Sequence, residues 1–316
     1  MPSYHHFFLT AALLTLSLGA GAQATTPPAV GKRALTTRHG QVPVAPQRLP
    51  LEVLPTGHIV VNATVNGVAG RFFLDTGAGV TVLTQQFAQR VPGLQRQDGR
   101  FTGFRAIGDR LDLPLYAAPT ITVGRYVAAK ANCCVYAGEM GGVDGLLSLT
   151  AFRHQPFTIE YDRHQLVLET PASLAQRRQL GKGIPLLLDD TYGQSLDIAA
   201  YCRVNEKLTL LVELDSGSPS GQYWFNAALA PQLGIDTAAL GPANRFVLPS
   251  ELVAANRNVS YWATLTSLTP VAQPTIQLAN VPFRLISGLI HDGILPLSWL
   301  GNQLTIDLPH QLLFAQ

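Results

Sequence analysis

The chain is poor in charge, in sulfur and in long apolar stretches, and each shortage removes a class of function. Only 13% of its residues are charged, and 22 basic against 20 acidic residues leave a formal net charge of +2 with no long run of either sign. Neither nucleic acid nor an anionic membrane has an electrostatic claim on such a surface. The three cysteines, Cys133, Cys134 and Cys202, lack C-x-x-C spacing and companion histidines, and the eight histidines form no His-Glu-x-x-His pair, so no metal site is expected. No cofactor is expected either. Gly77-Ala78-Gly79 lacks the third glycine and downstream acid of a dinucleotide loop. Gly217-Ser218-Pro219-Ser220-Gly221 has proline where a nucleophile elbow needs serine.

Long apolar runs are missing too. Phe7 to Leu18 is the one uncharged apolar stretch of note, followed by small residues ending in Ala22-Gln23-Ala24, and this reads as an export signal over residues 1–24 cut before Thr25. His5 and His6 stand where a basic n-region is usual. No other segment approaches the roughly 18 apolar residues of a membrane span, so an exported protein, periplasmic or secreted, with no stable span after signal cleavage is expected. Residues 25–48 carry Pro27, Pro28, Pro43 and Pro46, which marks an extended leader. Its Lys32, Arg33 and Arg38 leave open whether it is a solvated linker or an inhibitory pro-segment. Export permits a disulfide from Cys202 to Cys133 or Cys134; small apolar residues in strands are the alternative.

What the sequence does have is a copy of itself. Leu49-Pro50-Leu51 returns as Ile184-Pro185-Leu186, Val65-Asn66 as Val204-Asn205, and Leu74-Asp75-Thr76-Gly77-Ala78 as Leu214-Asp215-Ser216-Gly217-Ser218. Asp144-Gly145-Leu146-Leu147 returns as Asp292-Gly293-Ile294-Leu295, and His164-Gln165-Leu166 as His310-Gln311-Leu312. The offsets of 135, 139, 140, 148 and 146 residues stay in order and drift only as loop insertions would make them. Two copies of this length are a duplicated domain, not a solenoid. The lobes are expected at 49–180 and 184–316, joined near Gly181-Lys182-Gly183.

Within each lobe the periodicity is that of strands. His58 to Val65 is β-rich, Asn66-Gly67 is a hairpin signal, and Arg71-Phe72-Phe73-Leu74 resumes the run. Pro119 to Gly124 and Phe157 to Tyr161 alternate in the same way. Helix is expected only after each Asp motif, around Gln85 to Val91 and Asn226 to Leu233. The fold class is therefore all-β with a few short helices.

A hydrophobic strand ending in Phe73-Leu74-Asp75-Thr76-Gly77-Ala78, followed 69 residues later by an Asp-Gly-hydrophobic pair, resembles one lobe of a retropepsin or pepsin-type aspartic protease. The second lobe repeats the pairing with a spacing of 77 residues. The resemblance implies a two-lobed acid-protease fold in one chain, a monomer with intrachain lobe pairing, and a peptide or protein substrate. It also implies a catalytic dyad of Asp75 and Asp215. One carboxylate takes a proton from water while the other, protonated, donates to the peptide carbonyl. Gly77 and Gly217 let the two loops approach, and the hydroxyls of Thr76 and Ser216 are expected to bond across the interface. Ala78 and Ser218 differ, so Asp215 alone gains a hydroxyl that favours its ionised form, which makes Asp75 the acid.

Retropepsin likeness puts a substrate-covering flap on Gly99 to Phe104, with Phe101 or Phe104 over the substrate and Gly99, Gly103 and Gly108 suiting a mobile tip. The matching stretch of the second lobe, Gly241 to Leu248, has fewer glycines. Two departures stand out: Ser148 and Pro296 take places where the family has glycine, and proline removes a donor. Two functions are compatible with this pattern: an exported endopeptidase, and a weak or inactive relative that keeps the fold to bind peptides or an envelope partner.

Overall fold

The computed structural model describes residues 45–249 and 257–316. The expected signal and almost all of the leader lie outside the described residues. Among the described residues the strands form two sheets, and each lobe closes six strands into the same barrel. In the first, Ile59–Val65 pairs with Val68–Leu74, which runs parallel to Gly145–Leu147. The ladder continues through Thr81–Thr84, Tyr126–Tyr136 and Arg110–Val123, which returns to Ile59–Val65. In the second, Asp197–Val204, Leu208–Asp215, Gly293–Pro296, Trp224–Asn226, Leu278–Ile286 and Arg257–Pro270 repeat that order and closure.

The opening hairpin explains one step of the drifting offset. Asn66 and Gly67 both take positive φ, 48° and 83°, between paired Val65 and Val68, a two-residue turn that matches strand twist. In the second lobe Val204 pairs with Leu208, so the turn is one residue longer, with Asn205 and Glu206 left-handed. That extra residue changes the offset from 139 to 140.

Both barrels rest on a shared floor of six strands, three from each half: Gln47–Val53, Gln165–Leu168 and Phe157–Glu160, then Gln303–Asp307, Leu312–Ala315 and Ile184–Pro185. The halves meet where Phe157–Glu160 pairs antiparallel with Gln303–Asp307, and Thr158 lies opposite Thr305 with their hydroxyls 2.8 Å apart. A pseudo-two-fold axis passes between these two threonines. On either side Glu160 and Asp307 are fully buried, the first bonded to Arg48 and Arg177 and the second to Arg178. Phe157, Ile159, Leu304 and Ile306 carry one continuous apolar core through both lobes.

Three expectations need correcting. Arg177 and Arg178 belong to a helix, Pro171–Gln179, that strand periodicity missed. Its signals are local: Thr170 caps it reciprocally with Ser173, Pro171 opens it, and the two arginines sit in the last turn. The expected helices shrink to Gln85–Ala88 and the 3₁₀ turn Ala227–Leu229. The last repeat match is out by one residue: His164 (φ 52°) corresponds to Gln311 (φ 55°), each of which gives its carbonyl to the opening floor strand, at Leu51 and Leu186. A shared left-handed turn residue, not a shared histidine, fixes that equivalence. All three cysteines are buried and free, with burial pushing Cys133 and Cys202 up to about 12, so the strand reading of them holds. No described helix is long and apolar enough to cross a membrane.

Candidate active site

Asp75 follows the strand Val68–Leu74, and Asp215 ends the strand Leu208–Asp215. Both are pinned by the short parallel strand beside them, Asp75 through its amide to the Leu147 carbonyl and Asp215 in register with Pro296. The two loops face each other across the lobe interface, and the two carboxyls, each 3% exposed, lie close enough that each shifts the other's protonation.

Four reciprocal bonds lock this approach. The Thr76 hydroxyl donates to the Leu214 carbonyl at 2.7 Å and accepts from the Ser216 amide at 2.9 Å. Ser216 mirrors it, donating to the Leu74 carbonyl at 2.7 Å and accepting from the Thr76 amide at 3.0 Å. Every partner is buried, so each hydroxyl satisfies a donor and an acceptor that water does not reach. Gly77 and Gly217 give their amides to Oδ1 of their own Asp, at 3.0 and 2.6 Å. Neither glycine has positive φ. Space is what position 217 requires: a Cβ there would lie 2.6 Å from the Asp75 carboxyl carbon.

The two carboxyls are unequal. Burial, and then the charge of Asp215, holds the Asp75 carboxyl well above the usual carboxylate range. Burial also raises Asp215, but the Ser218 hydroxyl, donating to its Oδ2 at 2.7 Å, and the Gly217 amide work against the rise. Ala78 offers Asp75 no such hydroxyl and is buried near Phe73 and Phe101. The pair therefore keeps its proton on Asp75 and its charge on Asp215.

His58 is a site residue that sequence reading treated only as part of a strand. Its Nε2 lies 2.9 Å from the Gly217 carbonyl, which only accepts, so Nε2 carries a proton; Nδ1 lies 2.6 Å from the Thr56 hydroxyl. The ring packs on Phe73 at 5.5 Å between centroids, and its field lowers the Asp215 carboxyl.

The two departures from glycine leave the supporting loops with the same course but different bonds. Each short parallel strand runs into a 3₁₀ turn, Leu149–Phe152 in one lobe and Leu297–Leu300 in the other. Buried Ser148 caps the first turn and accepts from the Thr150 amide. Pro296, with φ of −62°, sits at the cap of the second with no side-chain bond. Proline fits there because its φ suits a cap, but it cannot make the bond that the Ser148 amide gives to the Thr81 hydroxyl at 3.2 Å in the first lobe.

The hairpin expected to serve as a flap turns beyond its expected tip. Phe101, Gly103 and Phe104 lie in the arm Gln95–Phe104, with Phe101 paired to Leu113 and Gly103 to Leu111. The turn is Arg105 to Asp109, closed by the Arg105 amide on the Asp109 carbonyl and the Gly108 amide on the Arg105 carbonyl, both 2.8 Å. Gly108, at φ 86°, belongs to this turn, whereas Gly99 (φ 92°) and Gly103 belong to the arm. The tip reaches the second lobe: Asn258 donates to the Ile107 carbonyl at 2.8 Å, and Ala106 packs with Trp224, Ile286 and Leu289. In the second lobe Arg245–Pro249 pairs with Arg257–Pro270, and the end of that hairpin lies outside the described residues.

Among the described residues no group of His, Cys, Asp and Glu has the arrangement of a metal site. Residues 61–151 match the family model described as aspartyl protease. No curated protein matches the sequence. A retropepsin-like aspartic protease from Rickettsia conorii aligns at 20% identity and a TM-score of 0.29, covering 39% of this chain and 90% of its own. Basic 7S globulin from soybean aligns at 10% identity and a TM-score of 0.48, covering 86% of this chain and 94% of its own. The chain thus combines an aspartyl protease family match in its first lobe with a mostly-β, two-lobed fold that repeats the Asp-bearing loop in its second.

Proposed function

We propose that the protein is an aspartic endopeptidase in which Asp75 and Asp215 act as one acid-base unit on a water and a peptide bond. The observation that carries this reading is the pair of buried, facing carboxyls held by the Thr76 and Ser216 interlock. Asp215, ionised and steadied by Ser218, removes a proton from the attacking water, while Asp75 donates its proton to the substrate carbonyl oxygen. As the tetrahedral intermediate collapses, the C–N bond breaks, the leaving nitrogen takes the proton that Asp215 received, and Asp75 recovers its proton from a hydroxyl of the intermediate as the product carboxyl forms. The peptide lies between the dyad and the hairpin ending at Ile107 and Gly108, which spans the cleft and shields the reaction from bulk water. One chain holds one complete site, so no second copy is required. With residues 1–24 read as an export signal, the substrates are proteins of the envelope or exterior.

The test is hydrolysis of a peptide library by mature protein across the acidic and neutral range, with and without a pepstatin-like inhibitor. Cleavage that the inhibitor blocks is the expected result. No cleavage at any pH, or cleavage indifferent to the inhibitor, overturns the proposal.

A further inference from the structure

The second lobe holds a cavity of about 280 Å³ between Leu187–Asp189, Asp197–Val204 and Leu208–Asp215, with His291 at its side. That is below the size of a typical small-molecule pocket and suits one side chain. Leu211, Glu213 and Asp215 alternate along one strand, so all three project from the same sheet face, and the cavity adjoins the dyad. Asp189 and Asp197 are paired in register on the neighbouring strands and share that face.

Its lining is peculiar to this lobe. By the repeat register, Asp197, Glu213 and His291 stand where the first lobe has His58, Phe73 and Val143. Asp197 is 7% exposed and Glu213 is 2% exposed, yet Oδ1 of the one and Oε1 of the other have no hydrogen-bond partner. Oε2 of Glu213 lies 3.1 Å from His291 Nε2 without hydrogen-bond geometry. A buried carboxyl left without a donor is costly, and two facing one cavity demand donors from something that enters it. No lysine or arginine lines the cavity, while Leu187 and Leu211 supply apolar wall. An aliphatic stem with a cationic, donor-rich tip matches both features.

We propose that this cavity is a specificity pocket for the side chain of a lysine or arginine flanking the scissile bond, with Glu213 and Asp197 receiving its donors. That the bond beside this side chain is cleaved rests on the peptidase reading; the binding of the side chain does not. Asp189 at the exposed edge adds a third carboxyl that draws the cation in.

Matched peptides carrying arginine or its neutral isostere citrulline on either side of the cleaved bond provide the test. Wild-type protein is expected to favour arginine at one of these positions by tenfold or more in kcat/KM. Glu213→Gln and Asp197→Asn are each expected to bring that ratio close to one, whereas Glu52→Gln, on the exposed face of the first lobe, leaves it in place. Leu211→Lys, which puts a cation of the protein's own into the cavity, is expected to abolish the preference and serves if the other variants fold poorly. A wild-type ratio near one, or a ratio that survives both Glu213→Gln and Leu211→Lys, overturns the proposal. If wild-type protein cleaves nothing, the peptidase reading fails by itself, and calorimetric binding of the same two peptides still decides this one. Tighter arginine binding lost in Glu213→Gln supports it, and equal or undetectable binding of both overturns it.

Discussion

His58 and Asp197 occupy the same position in the two lobes and act on the dyad in opposite senses. His58 donates to the carbonyl of Gly217, beside Asp215, and its field lowers that carboxyl. Asp197 lies against the other loop, where a Cβ on Gly79 would come within 3.0 Å of its Oδ2, and its presence adds to the rise of Asp75. A duplicated scaffold thus surrounds two identical carboxyl side chains with unlike neighbours, and the proton settles on one of them.

The dyad makes the first prediction. Asp75→Asn and Asp215→Asn are each expected to lower kcat by at least about 100-fold, and the double variant is expected to be scarcely worse than either. Single-turnover hydrolysis of one good peptide by the three folded variants checks this. Effects that multiply would mean that the two carboxyls work independently.

His58 sets the second. Activity is expected to fall as pH rises, because Asp75 must keep its proton, and to fall again at low pH, where Asp215 gains one. Replacing His58 by Phe removes the group that lowers Asp215, so the acid limb of the kcat/KM profile moves to higher pH while the alkaline limb moves less. A profile identical to wild type would show that the ring has no electrostatic hold on the dyad.

The interlock gives the third. Thr76→Ala leaves the Leu214 carbonyl and the Ser216 amide without their partner in a buried interface. The expected loss is about 2–6 kcal/mol of stability, from two orphaned groups at about 1–3 kcal/mol each. Chemical denaturation should also report lower cooperativity if the lobes separate before they unfold. Thr76→Ser keeps both bonds and should restore most of the loss.

The fourth concerns stability against pH. Burial holds Asp75, Asp197 and Glu213 protonated in the folded chain well above the pH at which they ionise when unfolded. Between those two limits the native state binds more protons than the unfolded one, so these groups make stability fall as pH rises above about 4. Glu160 opposes them: burial pushes its carboxyl up, but Arg177 and Arg48 more than offset that and leave it lowered, so its contribution is lost as pH falls through its folded value. Glu213→Gln is expected to flatten the decline on the alkaline side. Thermal melts of wild type and variant from pH 4 to pH 8 would show it, and parallel curves would refute it.

Much of this architecture was legible because the chain repeats itself. Two copies of Asp-[Thr/Ser]-Gly after a hydrophobic strand point to two related all-β lobes and to Thr76, Ser216 and the two carboxyls meeting at their interface; that each lobe closes into a barrel is not written in the motif. The helix at Pro171–Gln179 escaped because its cues are a cap and a proline, not a long apolar stripe, and only Leu174 on it is buried. His58 escaped for a different reason. A histidine within a β-rich run has no local signal, and its role comes from Gly217, which is 159 residues away. The repeat register itself was the cue for it, since it pairs His58 with a second ionisable residue, Asp197. The flap was misplaced by a few residues because glycine spacing marks where a hairpin can bend, whereas the turn forms where the Arg105 and Asp109 backbones pair.

The floor strands that meet at Thr158 and Thr305 have a consequence for how such a protein can change. When two separate, identical chains build a site, every substitution arrives twice, once on each side of the axis, and a residue useful on one side has to be tolerable on the other. Joining the halves in one chain, beneath one continuous sheet, removes that obligation. Phe73 can stay apolar beneath the flap while Glu213 becomes acidic at the matching place, and Ala78 can diverge from Ser218, without either half losing its grip on the other. Covalent linkage of the copies is thus what lets this site have a handedness: a side that holds the proton and a side that holds the charge.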